Sequence, residues 1–204
     1  MRIGLDFDNT IACYDGVFFK AARDRGLVPA NIGSSKNEVR DYLNGRGDKD
    51  AFTELQGHVY GTRMDLARPY DGVQAFVELA IESRHEVFII SHKSRYPILG
   101  ARHDLHLAAR AFLLAHGLTG AGRIALDNVF FEPTKEDKIA RAAALEVDVF
   151  VDDLPEILSM PGLPDMVRRY LFDPHAKLDP PASCTRVESW REAAELILEG
   201  RSAG

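Results

Sequence analysis

Residues 2–10 read Arg-Ile-Gly-Leu-Asp-Phe-Asp-Asn-Thr, and the fold class turns on this stretch. Ile3, Leu5 and Phe7 fall on one parity and Gly4, Asp6 and Asp8 on the other, the alternation of a short strand that runs out into a loop. Two carboxylates two residues apart at a strand's carboxyl end can face the crevice in which open α/β sheets bind ligands. So placed, Asp6 and Asp8 repel each other, and the pair calls for a cation, a shared proton or strong hydrogen bonds. The same residues also fit a solvated Asp-Asn turn after an edge strand. The rest of the chain has to decide.

Downstream of this strand the pattern changes. Val17, Phe18, Ala21 and Ala22 recur at helical spacing with Gly26 as a stop. Ser35 and Glu38 have capping-box spacing for a short helix through Val39, Tyr42 and Leu43. Asp48 can cap another helix carrying Phe52, Leu55 and Val59, which is expected to close near Gly57 to Gly61. Residues 13–70 thus read as small helices without a strand, a cap inserted after the first strand. The remainder, 1–12 and 71–204, reads as the core.

From Val73 onward strands and helices alternate. Val73, Phe76, Val77, Ala80 and Ile81 form a helical stripe, and Val87-Phe88-Ile89-Ile90 is apolar on both faces, as in a buried parallel strand. A helix is expected from Leu105 to His116, a strand at Asn128–Phe131, a helix after Pro133-Thr134, a strand at Val147–Val151 and a fifth at Arg169–Phe172. Ser189 and Glu192 form a second capping box, followed by Trp190, Ala193, Ala194, Ile197 and Leu198 at helical spacing. The Gly and Ser around Arg201 are expected to fray. Strands joined by helical crossovers imply a Rossmann-like parallel sheet in the α/β class, with helices on both faces. Such strands all end at one edge. Asp6, Ser91, the Thr134-Lys135 helix start and Asp152-Asp153 can therefore converge there, although they lie far apart in sequence.

Composition narrows the partners. The 204 residues suffice for one sizeable core and a small insertion. A formal charge of -6 argues against a sequence-independent grip on a nucleic acid polymer. No apolar run reaches the roughly 18 residues of a membrane span, and the start of the chain lacks the pattern of a secretion signal. A cytoplasmic protein without a membrane partner is expected. Cys13 and Cys184 have neither a disulfide framework nor metal-ligand spacing.

The ordered set Asp6-Phe7-Asp8-Asn9-Thr10, Ser91, Lys135 or Lys138, and Asp152-Asp153 resembles the motifs of the haloacid dehalogenase-like hydrolases. The match covers residues 1–12 and about 71–173. The resemblance implies phosphoryl transfer through an aspartyl phosphate, with Asp6 as nucleophile and Asp8 as acid and base. It also implies Mg²⁺, held by Asp6, the Asp8 backbone carbonyl and one of the last aspartates. Asp153 matches the ligand position, and Asp152 fits a neighbouring or water-mediated one. Ser91 would hold phosphate oxygens and a lysine would balance charge. Lys135, just after the expected cap Thr134 and four residues before Ile139, is the preferred lysine, with Lys138 the alternative.

The implied partner is a small phosphorylated metabolite. Ser91-His92-Lys93-Ser94-Arg95-Tyr96 follows the phosphate position, and Ser91, His92, Lys93 and Arg95 are candidate substrate contacts; the bland reading is a basic loop in solvent. In the inserted segment, Tyr14, Arg40, Asn44, Arg46 and Arg63 are weaker candidates. The Asp-Asp ending and the cap position are loosely similar to 5′-nucleotidases. Alternatives are a non-catalytic protein of this fold and another hydrolase of the group, such as a phosphonatase. A response-regulator receiver domain carries similar residues in a different order.

Overall fold

Strands buried on both faces must lie inside a sheet covered on both sides, and the chain arranges them so. The computed structural model describes residues 1–200; the segment around Arg201, expected to fray, lies outside the described residues. Its strands are β1 (Arg2–Leu5), β2 (Ala12–Cys13), β3 (Arg68–Pro69), β4 (Glu86–His92), β5 (Val129–Glu132), β6 (Val149–Asp152), β7 (Arg168–Phe172) and β8 (Cys184–Val187). Six of them form a parallel sheet in the order β5-β4-β1-β6-β7-β8. The two middle strands are therefore β1 and β6, and in β1 Leu5 lies opposite Ile89 on one side and Val151 on the other.

Side-chain parity assigns the two faces. Phe88, Ile90, Phe150 and Leu171 pack with Ile139 and Ala142 of α6 (Lys135–Ala144) and with Ile157 and Leu158 of α7 (Pro155–Leu158). Over the opposite face, α4 (Val73–Glu82) contributes Phe76 and α8 (Trp190–Ile197) contributes Trp190, whose rings lie 4.8 Å apart. Trp190 also lies 5.3 Å from Phe172, and its Nε1 donates to the Thr10 carbonyl at 3.1 Å. The second capping box forms as expected at its Ser189 end, where Oγ accepts from the Glu192 amide.

By internal contacts the chain forms two compact units. The first comprises Met1–Ala12, Pro69–Lys93 and the chain from Leu114 onward, and contains the sheet. The second comprises Cys13–Arg68 and Ser94–Leu113; the latter stretch, which the sequence reading left with the sheet, groups with the helices. Those helices are α1 (Val17–Asp24), α2 (Lys36–Gly45) and α3 (Lys49–Thr62), followed in the chain by α5 (Leu105–Ala115). Phe18 of α1 is buried against α3, 6.0 Å from the Phe52 ring and 5.6 Å from Tyr60. The Ser35/Glu38 capping box makes both of its bonds, and Asp48 caps α3.

Residues 13–70 are not free of strand, since they hold Cys13 of β2 and all of β3, and two further expectations need correction. Helix α3 does not stop at Gly57 to Gly61 but runs through both glycines to Thr62. They serve close approach instead: a Cβ on Gly57 would lie 2.6 Å from Pro97 Cβ, and one on Gly61 2.7 Å from His103 Cβ. The sheet also has a sixth strand that the pattern did not reveal, β8, a four-residue edge strand following two prolines. Among the described residues no helix is long and apolar enough to cross a membrane.

Gly4 is a second close approach, because its Cβ would meet Phe150 Cδ2 at 2.6 Å and Ile90 Cδ1 at 3.3 Å. Gly4→Ala should destabilise the chain by about 1–3 kcal/mol despite the gain in strand propensity, read as a lower midpoint of urea unfolding. Phe150→Leu in the same chain should recover part of that loss relative to the sum of the two single changes.

Candidate active site

The site is built where β1, β4 and β6 end together. Past Leu5 the backbone stays in register for one more residue, with the Asp6 amide donating to the Val151 carbonyl at 2.9 Å. The chain then turns: the Ile11 and Ala12 amides both donate to the Phe7 carbonyl, and Asn9 takes a positive φ of 58°, which Asn tolerates better than most side chains. This turn carries Asp8 out of the strand and leaves Asp6 buried at its end.

Asp6 is held from two directions. Ser91, near the end of β4, donates from Oγ to Asp6 Oδ1 at 2.8 Å. Lys138, one turn into α6, places Nζ 2.5 Å from the same oxygen and 2.5 Å from Asp152 Oδ2. Its side chain is 2% exposed. Burial alone would drive an ammonium toward its neutral form, but the Asp152 and Asp6 carboxylates outweigh it and hold the pKa above the ordinary lysine range. Asp152 accepts the Leu154 amide on its other oxygen at 3.0 Å, which fixes the entry to α7.

The late aspartates carry the electrostatic tension. Burial, opposed by Lys138 and reinforced by Asp6, pushes the Asp152 carboxyl up to about 6. Burial, then Asp6 and Asp152, raise Asp153 well above the usual carboxylate range. One ligand oxygen from each of Asp6, Asp152 and Asp153 lies within 4.8 Å of the others. Asp8 stands apart from this trio and pairs with Lys93, whose Nζ is 2.7 and 3.0 Å from its two carboxylate oxygens. Four carboxylates thus face two ammonium groups. If all are ionised, the deficit is two positive charges. An all-oxygen donor set with that deficit fits a hard divalent cation such as Mg²⁺.

The structure brings together Asp6, Asp8, Ser91, Lys93, Asp152 and Asp153 from the sequence candidates. It does not bring Lys135, and this preference is corrected. The lysine beside Asp6 is Lys138, whereas Lys135 is partly exposed and bonds Glu156 at 2.5 Å. Thr134 caps α6 as expected, accepting from the Asp137 amide. The buried stripe of that helix is Lys138, Ile139 and Ala142, and Lys135 in the first position falls short of it. His92 is exposed. Arg95 belongs to the second unit, where it pairs with Asp104 at 3.0 Å. There Arg63 is tied to Asp24 and Asp65, Arg40 to Asp41, and Tyr14 packs on Tyr60.

Solved structures share this arrangement of strands and helices. A predicted phosphatase from Clostridium acetobutylicum aligns with a TM-score of 0.60 at 14% identity, over 97% of this chain and 98% of its own. The chain has the haloacid dehalogenase-like fold. A hydrolase of the haloacid dehalogenase family from Deinococcus radiodurans, with bound phosphate and sodium, aligns at 0.59 and 14% identity over 97% of this chain and 95% of its own. A hydrolase of this fold from Bacillus subtilis, bound to magnesium, aligns at 0.59 and 12% identity over 96% and 97% of the two chains. No protein-family model and no curated protein sequence matches the chain.

The raised carboxyls give a signed pH effect in the metal-free protein. An unfolded Asp titrates near ~3.9, so the folded chain binds the Asp152 proton more tightly and loses stability as pH rises through about 6, and Asp153, raised by burial and by Asp6 and Asp152, acts in the same direction. Asp153→Asn, which removes one of these charges, should therefore raise the melting temperature in EDTA at pH 7.5. The difference from the unaltered chain should shrink as the pH is lowered, because the raised Asp153 carboxyl takes up a proton there more readily than an ordinary carboxylate.

Proposed function

We propose that this protein is a Mg²⁺-dependent phosphatase acting on a small phosphate monoester, such as a nucleotide or sugar phosphate, through an aspartyl-phosphate intermediate. The observation that carries the reading is the double hold on Asp6. A carboxylate buried at a strand end, oriented by Ser91 and charge-balanced by Lys138, with Asp8 two residues on, has the arrangement needed for nucleophilic attack with a proton donor beside it. The phosphate and magnesium bound in the two neighbouring structures support it.

In this reading Ser91 and Lys138 occupy Oδ1 of Asp6, and Oδ2 is the attacking oxygen. It forms a bond to phosphorus in line with the leaving group, and the phosphorus-to-oxygen ester bond breaks. Asp8, which enters this half carrying a proton, passes it to the departing oxygen, giving a neutral alcohol and leaving an Asp8 carboxylate. In the second half Asp8 takes a proton from water as that water attacks phosphorus, breaking the aspartyl-phosphate bond and releasing inorganic phosphate. Lys138 stays charged throughout and offsets the negative charge on the phosphoryl group and Asp6. Asp6, Asp153 and Asp152, with the Asp8 carbonyl, are the residues that would hold Mg²⁺. When bound, the ion supplies counter-charge for a phosphate dianion that four carboxylates would otherwise repel.

The test is phosphate release from a panel of nucleotides, sugar phosphates and p-nitrophenyl phosphate, with Mg²⁺ and with EDTA. Release should require the metal, and Asp6→Asn should abolish it; release by Asp6→Asn at the unaltered rate would rule out the nucleophile. Lys138→Ala should lower kcat by about 10²–10³-fold, the scale of a lost charged donor in a catalytic site. Lys135→Ala, which breaks only a pair with Glu156, should retain kcat within about threefold, as expected for an exposed ion pair.

A further inference from the structure

Of the two buried lysines in the site, only Lys138 has a task in the mechanism above. Lys93 lies two residues beyond Ser91, and its amide continues the ladder, donating to the Glu132 carbonyl at 2.9 Å. That bond fixes the backbone from which its side chain departs. The side chain is 3% exposed, whereas its partner Asp8 is 21% exposed. The ammonium therefore lies on the inner side of the carboxylate, 5.3 Å from the centre of the Phe7 ring.

This geometry differs from that of a lysine awaiting an anionic ligand. Such a lysine keeps its head in water and its stem on the protein. Burying an ammonium is costly unless its partners are close and well aligned, and here both oxygens of one carboxylate lie within 3.0 Å. The two lysines also divide the aspartates between them, Lys138 taking Asp6 and Asp152 and Lys93 taking Asp8. A carboxylate on a turn outside the sheet has rotational freedom about its χ angles. A charged partner placed behind it, touching both oxygens, removes that freedom.

We propose that Lys93 is a positioning residue for Asp8, holding its carboxylate in the orientation from which it serves the leaving-group oxygen. The inference rests on the phosphatase reading and assigns Lys93 no contact with substrate. Its consequence is selective. An ester whose leaving group departs without a proton depends little on how Asp8 is held, whereas an alkyl ester depends on it strongly.

The full chain with Mg²⁺ is assayed on p-nitrophenyl phosphate and on an alkyl phosphate hydrolysed by the unaltered protein. Lys93→Met should lose about 100-fold more kcat on the alkyl than on the aryl ester, the scale of general acid catalysis, with KM for the alkyl ester changed less than about threefold. Lys93→Arg should recover most of the alkyl activity. In an Asp8→Asn background, Lys93→Met should add no further alkyl-selective loss. Equal losses on both esters, a raised KM with kcat retained, or a further selective loss in the Asp8→Asn background would each overturn the inference and leave the phosphatase reading standing. An unaltered chain that hydrolyses no ester of either kind overturns both. If Lys93→Met does not fold by circular dichroism, Lys93→Gln is read by the same criteria.

Discussion

Negative charge concentrated at the ends of β1 and β6 is the constraint that the site geometry answers. Asp6 and Asp152 are buried, and neither could remain ionised there without positive charge within hydrogen-bond reach. Lys138 meets that requirement for both at once, which is why it lies inside the protein at a depth lysines seldom occupy. Satisfying it ties α6 to two strand ends. It also leaves Asp153 less well compensated than its neighbours, so that its carboxyl holds a proton more tightly than an ordinary carboxylate.

The sheet supplies the precision. Asp6, Ser91 and Asp152 meet because β1, β4 and β6 are adjacent, parallel and in fixed register. A slip of one residue would turn Asp6 from the site toward the opposite face of the sheet. The small side of Gly4 against Phe150 and Ile90 lets α6 and α7 pack over this part of the sheet without a displaced ring.

Much of this was legible in the sequence for a physical reason. Buried parallel strands must be apolar on both faces, so Val87–Ile90 and Val149–Val151 stand out without reference to anything distant. Helix caps are equally local, and Ser35, Thr134 and Ser189 all act as read. Order along the chain then placed Asp6, Ser91 and Asp152 at one edge. The failures are those where a partner remote in sequence decides. Lys135 and Lys138 have the same local surroundings, and only the position of Asp6 and Asp152 separates them. The stripe Lys138, Ile139, Ala142 held a usable signal, since a lysine in phase with buried positions must find a buried partner. Gly57 and Gly61 looked like stops because Pro97 and His103, which explain them, lie about 40 residues away. In the basic loop, sequence proximity grouped Lys93 with Arg95; burial separates the one, facing Asp8, from the other, facing Asp104.

The hydrogen bond from Trp190 to the Thr10 carbonyl spans 180 residues of sequence. It anchors the turn that bears Asp8 to a helix made long after that turn leaves the ribosome. Because loop closure precedes any reward from so distant a contact, the turn lacks this tether until most of the chain has been synthesised. Without α8 the turn keeps the bonds from the Ile11 and Ala12 amides to the Phe7 carbonyl but not this one. This anchor at the edge of the sheet therefore belongs to the long-range contacts, which form only after the intervening chain has been ordered.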